Sequence, residues 1–291
     1  MTDDPFVTHR SLLFTVAYEL LGSAADAEDV LQESWLRWAD VAHDEVRDAR
    51  AYLVRIVTRQ ALNQLRTVSR RRESYVGEWL PEPLLTSPDV ADDVELAESV
   101  SIAMLTVLET LGPTERAVFV LREVFDVPYD EIADAVDKSP AAVRQIAHRA
   151  KDHVAARRPR MDVMRSEHEE AVERLVAAMN TGDVQGLMDV LAPDVVSVAD
   201  GGGKVRGAAL RPIVGADRIA RYLVGGLAKF PGVFVAMPAW VNGQPGIRVE
   251  LDGQLAGVVS LSVEGGRITR IYSMANPDKL GWVQAEAELA R

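Results

Sequence analysis

Hydrophobic residues recur at helical spacing through the first half of the chain. In Val7–Leu21 they fall at Leu12, Leu13, Val16, Ala17 and Leu20, and Gly22 supplies a stop. "SAADAEDVLQESWLRWADV" opens on an N-cap residue, Ser23, with acids in its first turn, and its apolar face is Ala27, Val30, Leu31 and Leu36, with Trp35 as a further candidate. In "DARAYLVRIVTRQALNQLRTVSRRR" one face of a long helix carries Leu53, Ile56, Val57, Ala61, Leu62 and Leu65. The other carries Arg55, Arg59, Asn63 and Arg66. The next stretch, "YVGEWLPEPLLTSPDVADDVE", loses all periodicity and reads as an irregular, Pro-rich linker. Helices are expected again at Glu98–Glu109 and Pro113–Val124. Two shorter ones flank a turn at Asp137–Ser139, with Ile132, Ala133 and Val136 facing Val143, Ile146, Ala147 and Ala150.

Beyond residue 160 the period changes. Amphipathic helices are expected at Ser166–Asn180, Val184–Leu191 and "GADRIARYLVGGLAKF". They precede hairpin-linked, strand-like runs: "GVFVAMPAWV", "GQPGIRVEL", "GQLAGVVSLSVE" and "GRITRIYSMA". Helices followed by consecutive strands imply an α+β layer in which a curved sheet wraps a helix layer. The expected fold class is therefore multi-domain. Two all-α domains, the second a helix-turn-helix, precede an α+β cone with a curved, mostly antiparallel sheet. The expected boundaries are 1–74, a linker at 75–98, 99–160 and 161–291.

Charge sharpens this picture. The 291 residues carry a formal net charge of −12, yet Arg47–Ser74 is net +6 and Lys138–Arg160 is net +6, separated by an acidic Tyr75–Glu98 of net −7. Phosphate is bound by local basic patches rather than by net charge. The second basic block starts at the helix-turn-helix pattern, where Ser139 caps the second helix and Pro140 begins it. Ala141, Arg144, Gln145, His148, Arg149 and Lys151 are left outside. Arg reads guanine and Gln reads adenine in the major groove, so Arg144, Gln145, His148 and Arg149 are the base-reading candidates. A plain helical hairpin with a solvated basic face is the alternative. The absence of cysteine excludes disulfides, thiolate metal sites and cysteine nucleophiles. No cofactor or metal ligand set is expected. The start, "MTDDPFVTHR", lacks a signal-type apolar run and no segment reaches membrane-spanning length, so a cytoplasmic chain without membrane contact is expected.

"DAEDVLQESWLRW" followed by "ARAYLVRIVTRQALNQLR" resembles the second conserved domain of extracytoplasmic-function bacterial sigma factors. "LGPTERAVFVLREVFDVPYDEIADAVDKSPAAVRQIAHRAK" resembles their fourth domain. The resemblance implies a dissociable subunit that directs core RNA polymerase to promoters, through contacts with the β′ clamp and the β flap. Asp26, Glu28, Asp29, Gln32, Glu33 and Trp35 match the polymerase-docking positions. Arg55, Arg59, Asn63, Arg66, Arg70 and Arg71 match the surface facing the proximal promoter element. Ser139, Arg144, Gln145, His148, Arg149 and Lys151 match the distal-element reader. An anti-sigma partner is compatible with the resemblance and not required by it.

The last 130-odd residues resemble a SnoaL-like cone, which a subset of these factors carries together with three motifs. They stand here at Trp79, Leu80, Pro81, Glu82 and Pro83, at Asp200, Gly201, Gly202, Gly203 and Lys204, and at Asn276, Pro277, Asp278, Lys279 and Leu280. The resemblance suggests that these form one regulatory contact, in which Lys204 and Lys279 face Glu78 and Glu82. The glycines alone read as a tight turn, since the spacing of a phosphate loop is missing. Cone relatives include enzymes, but all five histidines lie outside the strand region. Asp194, Asp200, Asp217, Tyr222, Glu250, Asp252 and Tyr272 remain as acid–base candidates with no sign of convergence. A second reading of the whole chain is a stand-alone helix-turn-helix regulator with a ligand-sensing or catalytic cone.

Overall fold

The computed structural model describes residues 4–42, 46–157, 164–227, 229 and 231–291, without the side chains of residue 66 and of 69–73. The N-terminal half is built from α1 (Pro5–Thr8), α2 (Arg10–Leu21), α3 (Ala24–Ala39) and α4 (Ala49–Glu73). Gly22 ends α2 in the left-handed conformation at φ 65°, and Ser23 caps α3 by accepting from the Asp26 amide at 3.1 Å. The second helical half comprises α5 (Val94–Ser99), α6 (Ile102–Leu108), α7 (Pro113–Phe119), α8 (Tyr129–Val136) and α9 (Pro140–Ala155). Asp137 closes α8 in the left-handed region, and the Ser139 hydroxyl caps α9.

Three sequence expectations change here. The helix expected at Glu98–Glu109 is two, because Ser99 and Ser101 bond to nearby backbone carbonyls and Ser101 caps α6. The helix expected to run to Val124 widens into a π-type turn at Val120–Val124. The stretch expected to be irregular contains a 3-10 turn at Pro88–Asp92 and the start of α5.

The C-terminal domain begins with α10 (Arg165–Thr181) and α11 (Val184–Val190), then β1 (Leu191–Asp200), β2 (Ile213–Val214) and α12 (Ala216–Leu227). Strands β3 (Phe234–Val241), β4 (Gln244–Leu251), β5 (Gln254–Glu264) and β6 (Arg267–Met274) follow. The sheet order is β2-β1-β6-β5-β4-β3, antiparallel except for the β1–β6 pair. Register shifts at Val249/Glu250 and Ser262/Val263 mark irregularities of the kind that bend strands.

Three apolar cores result among the described residues. One runs without interruption through both helical halves, from Leu13, Tyr18 and Val57 to Leu108, Leu121, Ile132 and Val143. A second fills the cone between its helices and the concave sheet face, around Leu175, Ile219, Ile247 and Leu261. The third lies on the opposite sheet face, where Val258, Tyr272 and Met274 meet Leu80 of the linker and Ile102 of α6. A sheet apolar on both faces must be covered on both, and the linker with α6 supplies the second cover.

Candidate functional site

Helix α3 turns most of its sequence-predicted surface outward. Asp29, Gln32, Glu33 and Trp35 are exposed, and Leu36 beside them is 61 % exposed. Glu33 pairs with Arg37 at 2.9 Å, Glu28 with Arg10 at 2.7 Å, and Trp35 meets Phe6 edge-on. Asp26 differs. It is buried and accepts from the Gln64 side chain of α4 at 2.9 Å, so it joins two helices rather than presenting a surface.

The basic face of α4 is partly covered. The Arg59 guanidinium donates to the Asp134 carbonyl of α8 at 2.6 Å, and Arg55 lies 4.9 Å over the Tyr52 ring. Arg47, Asp48, Tyr52 and Arg55 share a cavity of about 400 Å³ with Glu131 and Asp134 of α8. The first helix of the helix-turn-helix thus sits against the basic side of α4. Asn63 is exposed; Arg66, Arg70 and Arg71 fall on α4 with side chains outside the described residues.

On α9, Arg144, Gln145, His148, Arg149 and Lys151 all point away from the core. Arg144 lies 5.6 Å over the Tyr129 ring, His148 faces Asp152 at 2.9 Å, and Lys151 pairs with Glu123 at 2.6 Å.

The three motifs around the linker converge on one carboxylate. Asp200 ends β1 and is fully buried. It accepts from the Tyr75 hydroxyl at 2.5 Å, the Leu80 amide at 2.9 Å, the Gly202 amide at 3.1 Å and the Lys279 ammonium at 2.7 Å. Lys279 is 6 % exposed; it also donates to the Leu80 carbonyl at 2.5 Å and lies 4.0 Å over the Trp79 ring. Asn276 donates to the Tyr75 hydroxyl at 2.7 Å. Burial and the Asp200 carboxylate push the Tyr75 hydroxyl above its ordinary range. Gly202 has φ 59°, and a Cβ there would collide with the Asn276 amide, so the glycine turn is what allows this closure.

The expected pairing of Lys204 and Lys279 with Glu78 and Glu82 is not what forms. Lys279 pairs with Asp200, its charge reaching Glu82 only at longer range, and Lys204 pairs with Asp278. Glu82 is buried and turned the other way. It accepts from Ser23 Oγ at 2.9 Å, the Ala24 amide at 2.7 Å and the Ala25 amide at 3.2 Å, at the N-terminus of α3. Burial raises its pKa, and these hydrogen bonds oppose the rise. A lysine finds the partner that is already desolvated and anchored; the helix N-terminus, with its unpaired amides, claims the glutamate. Pro81 and Pro83 are buried on either side of Glu82.

Two buried residues have roles that the sequence pattern does not signal. Asn242, fully buried at the β3–β4 turn with φ 52°, donates to the Tyr18 hydroxyl at 2.7 Å and the Val100 carbonyl at 2.8 Å. It accepts from the Leu84 amide at 2.9 Å, and so touches the N-terminal half, the second half and the linker at once. The Asn242–Gly243 pair signals a tight hairpin, but no local pattern says what the tip will touch. Glu19, also fully buried, takes a 2.7 Å hydrogen bond from Ser99 and lies near Arg116, whose Nε donates to the Glu19 carbonyl at 2.8 Å. Burial pushes the Glu19 carboxyl up to about 8 and the Arg116 guanidinium down to about 9.

The acid–base candidates of the cone are dispersed. Asp200 is in the linker node and Tyr272 in the joint core. Asp217 pairs with Arg221, Glu250 with Arg248 at 3.0 Å, and Asp252 accepts from the Val233 amide. Tyr222 donates to the Gly207 carbonyl, and Asp194 is exposed. No group of three or more metal-ligating acids or histidines occurs among the described residues. No described helix is long and apolar enough to cross a membrane.

Comparison with known proteins accounts for this division of the chain. Residues 6–71 match the Sigma-70 region 2 family, residues 101–154 the Sigma-70, region 4 family, and residues 172–271 the SnoaL-like domain family. The ECF RNA polymerase sigma factor SigJ of Mycobacterium tuberculosis is 39 % identical over 94 % of this chain and 91 % of its own length. A protein of the same organism described as "Probable ECF RNA polymerase sigma factor SigI" is 34 % identical over 96 % of this chain and 94 % of its own. The crystal structure of the extracytoplasmic function sigma factor SigJ of that organism superposes with a TM-score of 0.75, at 35 % identity, over 94 % of this chain and 96 % of the other. With all three families matched in order and one superposition spanning nearly the whole chain, the chain belongs to the extracytoplasmic-function RNA polymerase sigma factors with a C-terminal SnoaL-like domain, and its work is promoter-directed transcription initiation with core polymerase.

Proposed function

We propose that this sigma factor is regulated by its own cone, which sets the placement of its two promoter-binding halves through the linker and serves the active state as well as the closed one. In this reading residues 1–74 and 99–160 are the promoter-binding units, 75–98 is the adjustable connection and 161–291 the regulator. The exposed acids of α3, with Trp35, dock on the β′ clamp, where charge complementarity gives register and steering. Arg55, Arg59, Asn63, Arg66, Arg70 and Arg71 face the proximal element, where stacking and phosphate contacts serve strand opening. Arg144, Gln145, His148 and Arg149 read the distal element, with the surrounding domain on the β flap. The cone acts by conformation rather than catalysis, in keeping with the dispersal of its acids.

The observation that carries this is that one short linker is bound from both sides. Glu82 is held by α3, while Leu80, two residues earlier, is held by Asp200 and Lys279 of the cone. The C-terminal tail adds a strap. Ala287 donates to the Leu85 carbonyl at 2.8 Å, Ala290 to Thr15 Oγ1 at 3.1 Å, and Arg291 pairs with Asp93 and Glu95. Moving a population from mostly closed to mostly open takes about 5 kcal/mol of differential binding, within reach of polymerase docking.

The test is run-off transcription with core polymerase on a cognate promoter, using three forms of the protein. Ending the chain after Leu280 removes the strap and is expected to raise activity. Ending it near Arg160 removes the cone with its linker contacts and is expected to lower activity. Equal activity of all three forms would leave the cone without a regulatory role.

A further inference from the structure

We infer that Glu82 is a positioning residue for polymerase docking: it belongs functionally to α3, as the cap that holds the first turn of the docking helix. This rests on the reading that α3 is the polymerase contact, and it extends that reading to a residue outside the domain that carries α3. An isolated helix leaves its first four amides unpaired, and a local side chain usually satisfies one or two. Here Ser23 accepts only from the Asp26 amide. The Ala24 and Ala25 amides, at the very start of α3, are satisfied by Glu82, 58 and 57 residues away in the chain. The Ser23 hydroxyl itself donates to Glu82.

The backbone of Glu82 is fixed on the same surface. Its amide donates to the Gly22 carbonyl at 2.9 Å, and its carbonyl accepts from the Tyr18 hydroxyl at 2.6 Å. Every hydrogen bond described for Glu82 therefore ends on residues 18–25, and none on the cone. Leu80 shows the opposite: its amide and carbonyl both bond to the cone. The change of allegiance falls at Pro81. A carboxylate at a helix N-terminus also complements the helix dipole, so Glu82 favours the register in which Asp29, Gln32 and Glu33 present one edge. It follows that Glu82 stays with α3 when the factor joins polymerase, whatever the cone then does.

The experiment measures the affinity of the full-length protein for core polymerase by titration, together with amide hydrogen exchange of Ala24 and Ala25, free and in holoenzyme. Glu82→Ala is expected to weaken core binding about five- to tenfold and to speed exchange at both amides. Glu82→Gln, which keeps an acceptor without the charge, is expected to recover part of both. Leu80→Ala, which loosens the cone side of the linker without touching α3, is expected not to weaken core binding and to leave exchange at Ala24 and Ala25 unchanged. Circular dichroism confirms that each variant folds, and Ser23→Ala, a milder loss at the same cap, is expected to weaken binding about twofold. Unchanged affinity of Glu82→Ala, an equal loss in Leu80→Ala, or loss of protection at Ala24 and Ala25 on holoenzyme formation would overturn the inference. The reversal Asp29→Lys with Glu33→Lys separates the two levels. If it leaves core binding intact, the docking reading itself fails; if it abolishes binding while Glu82→Ala does nothing, only the cap inference fails.

Discussion

The two joints of this molecule are built on opposite principles. Between the helical halves the contact is one continuous apolar core, with Ser99, Arg116 and Arg59 supplying hydrogen bonds across it among the described residues. Its buried polar pair is incompletely satisfied: Glu19 Oε2 and Arg116 Nη2 have no hydrogen-bond partner among the described residues. Between linker and cone, apolar cover is combined with a network in which Asp200, Lys279, Tyr75 and Asn242 each have several partners. Apolar contact is non-directional and tolerates repartnering, whereas a satisfied buried network fixes a single register and is costly to break in part. The contrast predicts that the halves part from each other before the linker leaves the cone.

The most severe way to break the contrast is at Lys279. Lys279→Ala leaves Asp200 buried without its counter-ion, and removal of one partner of such a pair typically costs about 3–5 kcal/mol. The expected outcome is a large drop in the thermal midpoint of the full chain. The double variant Asp200→Asn with Lys279→Met is expected to lose much less. A midpoint for Lys279→Ala within experimental error of the wild type would show that the network is dispensable.

Asn242 comes next. Asn242→Ala orphans the Leu84 amide and the Val100 carbonyl and places alanine at positive φ, for roughly 2–3 kcal/mol in all. Asn242→Gly removes the backbone strain but not the lost bonds, and is expected to fall between the two. If glycine restores full stability, the side-chain bonds contribute nothing.

The joint between the halves is addressed through pH. Burial raises the Glu19 carboxyl from 4.5 to about 8, against the opposing hydrogen bond of Ser99 and the charge of Arg116. A carboxyl raised in the folded state contributes stability that is fully present below about 4.5 and lost as pH rises through about 8. Chemical denaturation across that window is expected to show stability declining, with Glu19→Gln flattening the decline. An identical slope in the variant would remove Glu19 from the account. The smallest effect is expected from Arg59→Ala, an exposed contact between the halves, with a change within about 0.5 kcal/mol in the same measurement.

Much of this architecture is legible in the amino-acid sequence. The buried stripe of α4, with Leu53, Val57, Ala61 and Leu65, follows from a 3.6-residue period, and the Ser139 cap with Pro140 marks α9 to the residue. The strand-rich cone follows from hairpin spacing. The linker is visible as a loss of periodicity, and its apolar Trp79, Leu80 and Pro81 suggest docking. Pairing is the part that spacing does not reveal. Asp26 reads as one more surface acid, yet it is buried and bonded to Gln64, 38 residues away. Lys279 and Glu82 have opposite charges and lie near one another, yet each has a better partner.

The sequence by itself determined the elements, their order and the chemistry displayed on each: an acidic helix, two basic ones, a helix-turn-helix and a run of hairpins. Those depend on residues within one or two turns of each other, where spacing and capping decide the outcome. The tertiary structure alone decided that Asp200 gathers Tyr75, Leu80 and Lys279, that Asn242 meets Tyr18 and Val100, and that Glu82 caps a helix 57 residues earlier in the chain. A buried polar group must be satisfied by whatever donors packing brings within about 3 Å, and packing is set by the whole apolar surface at once.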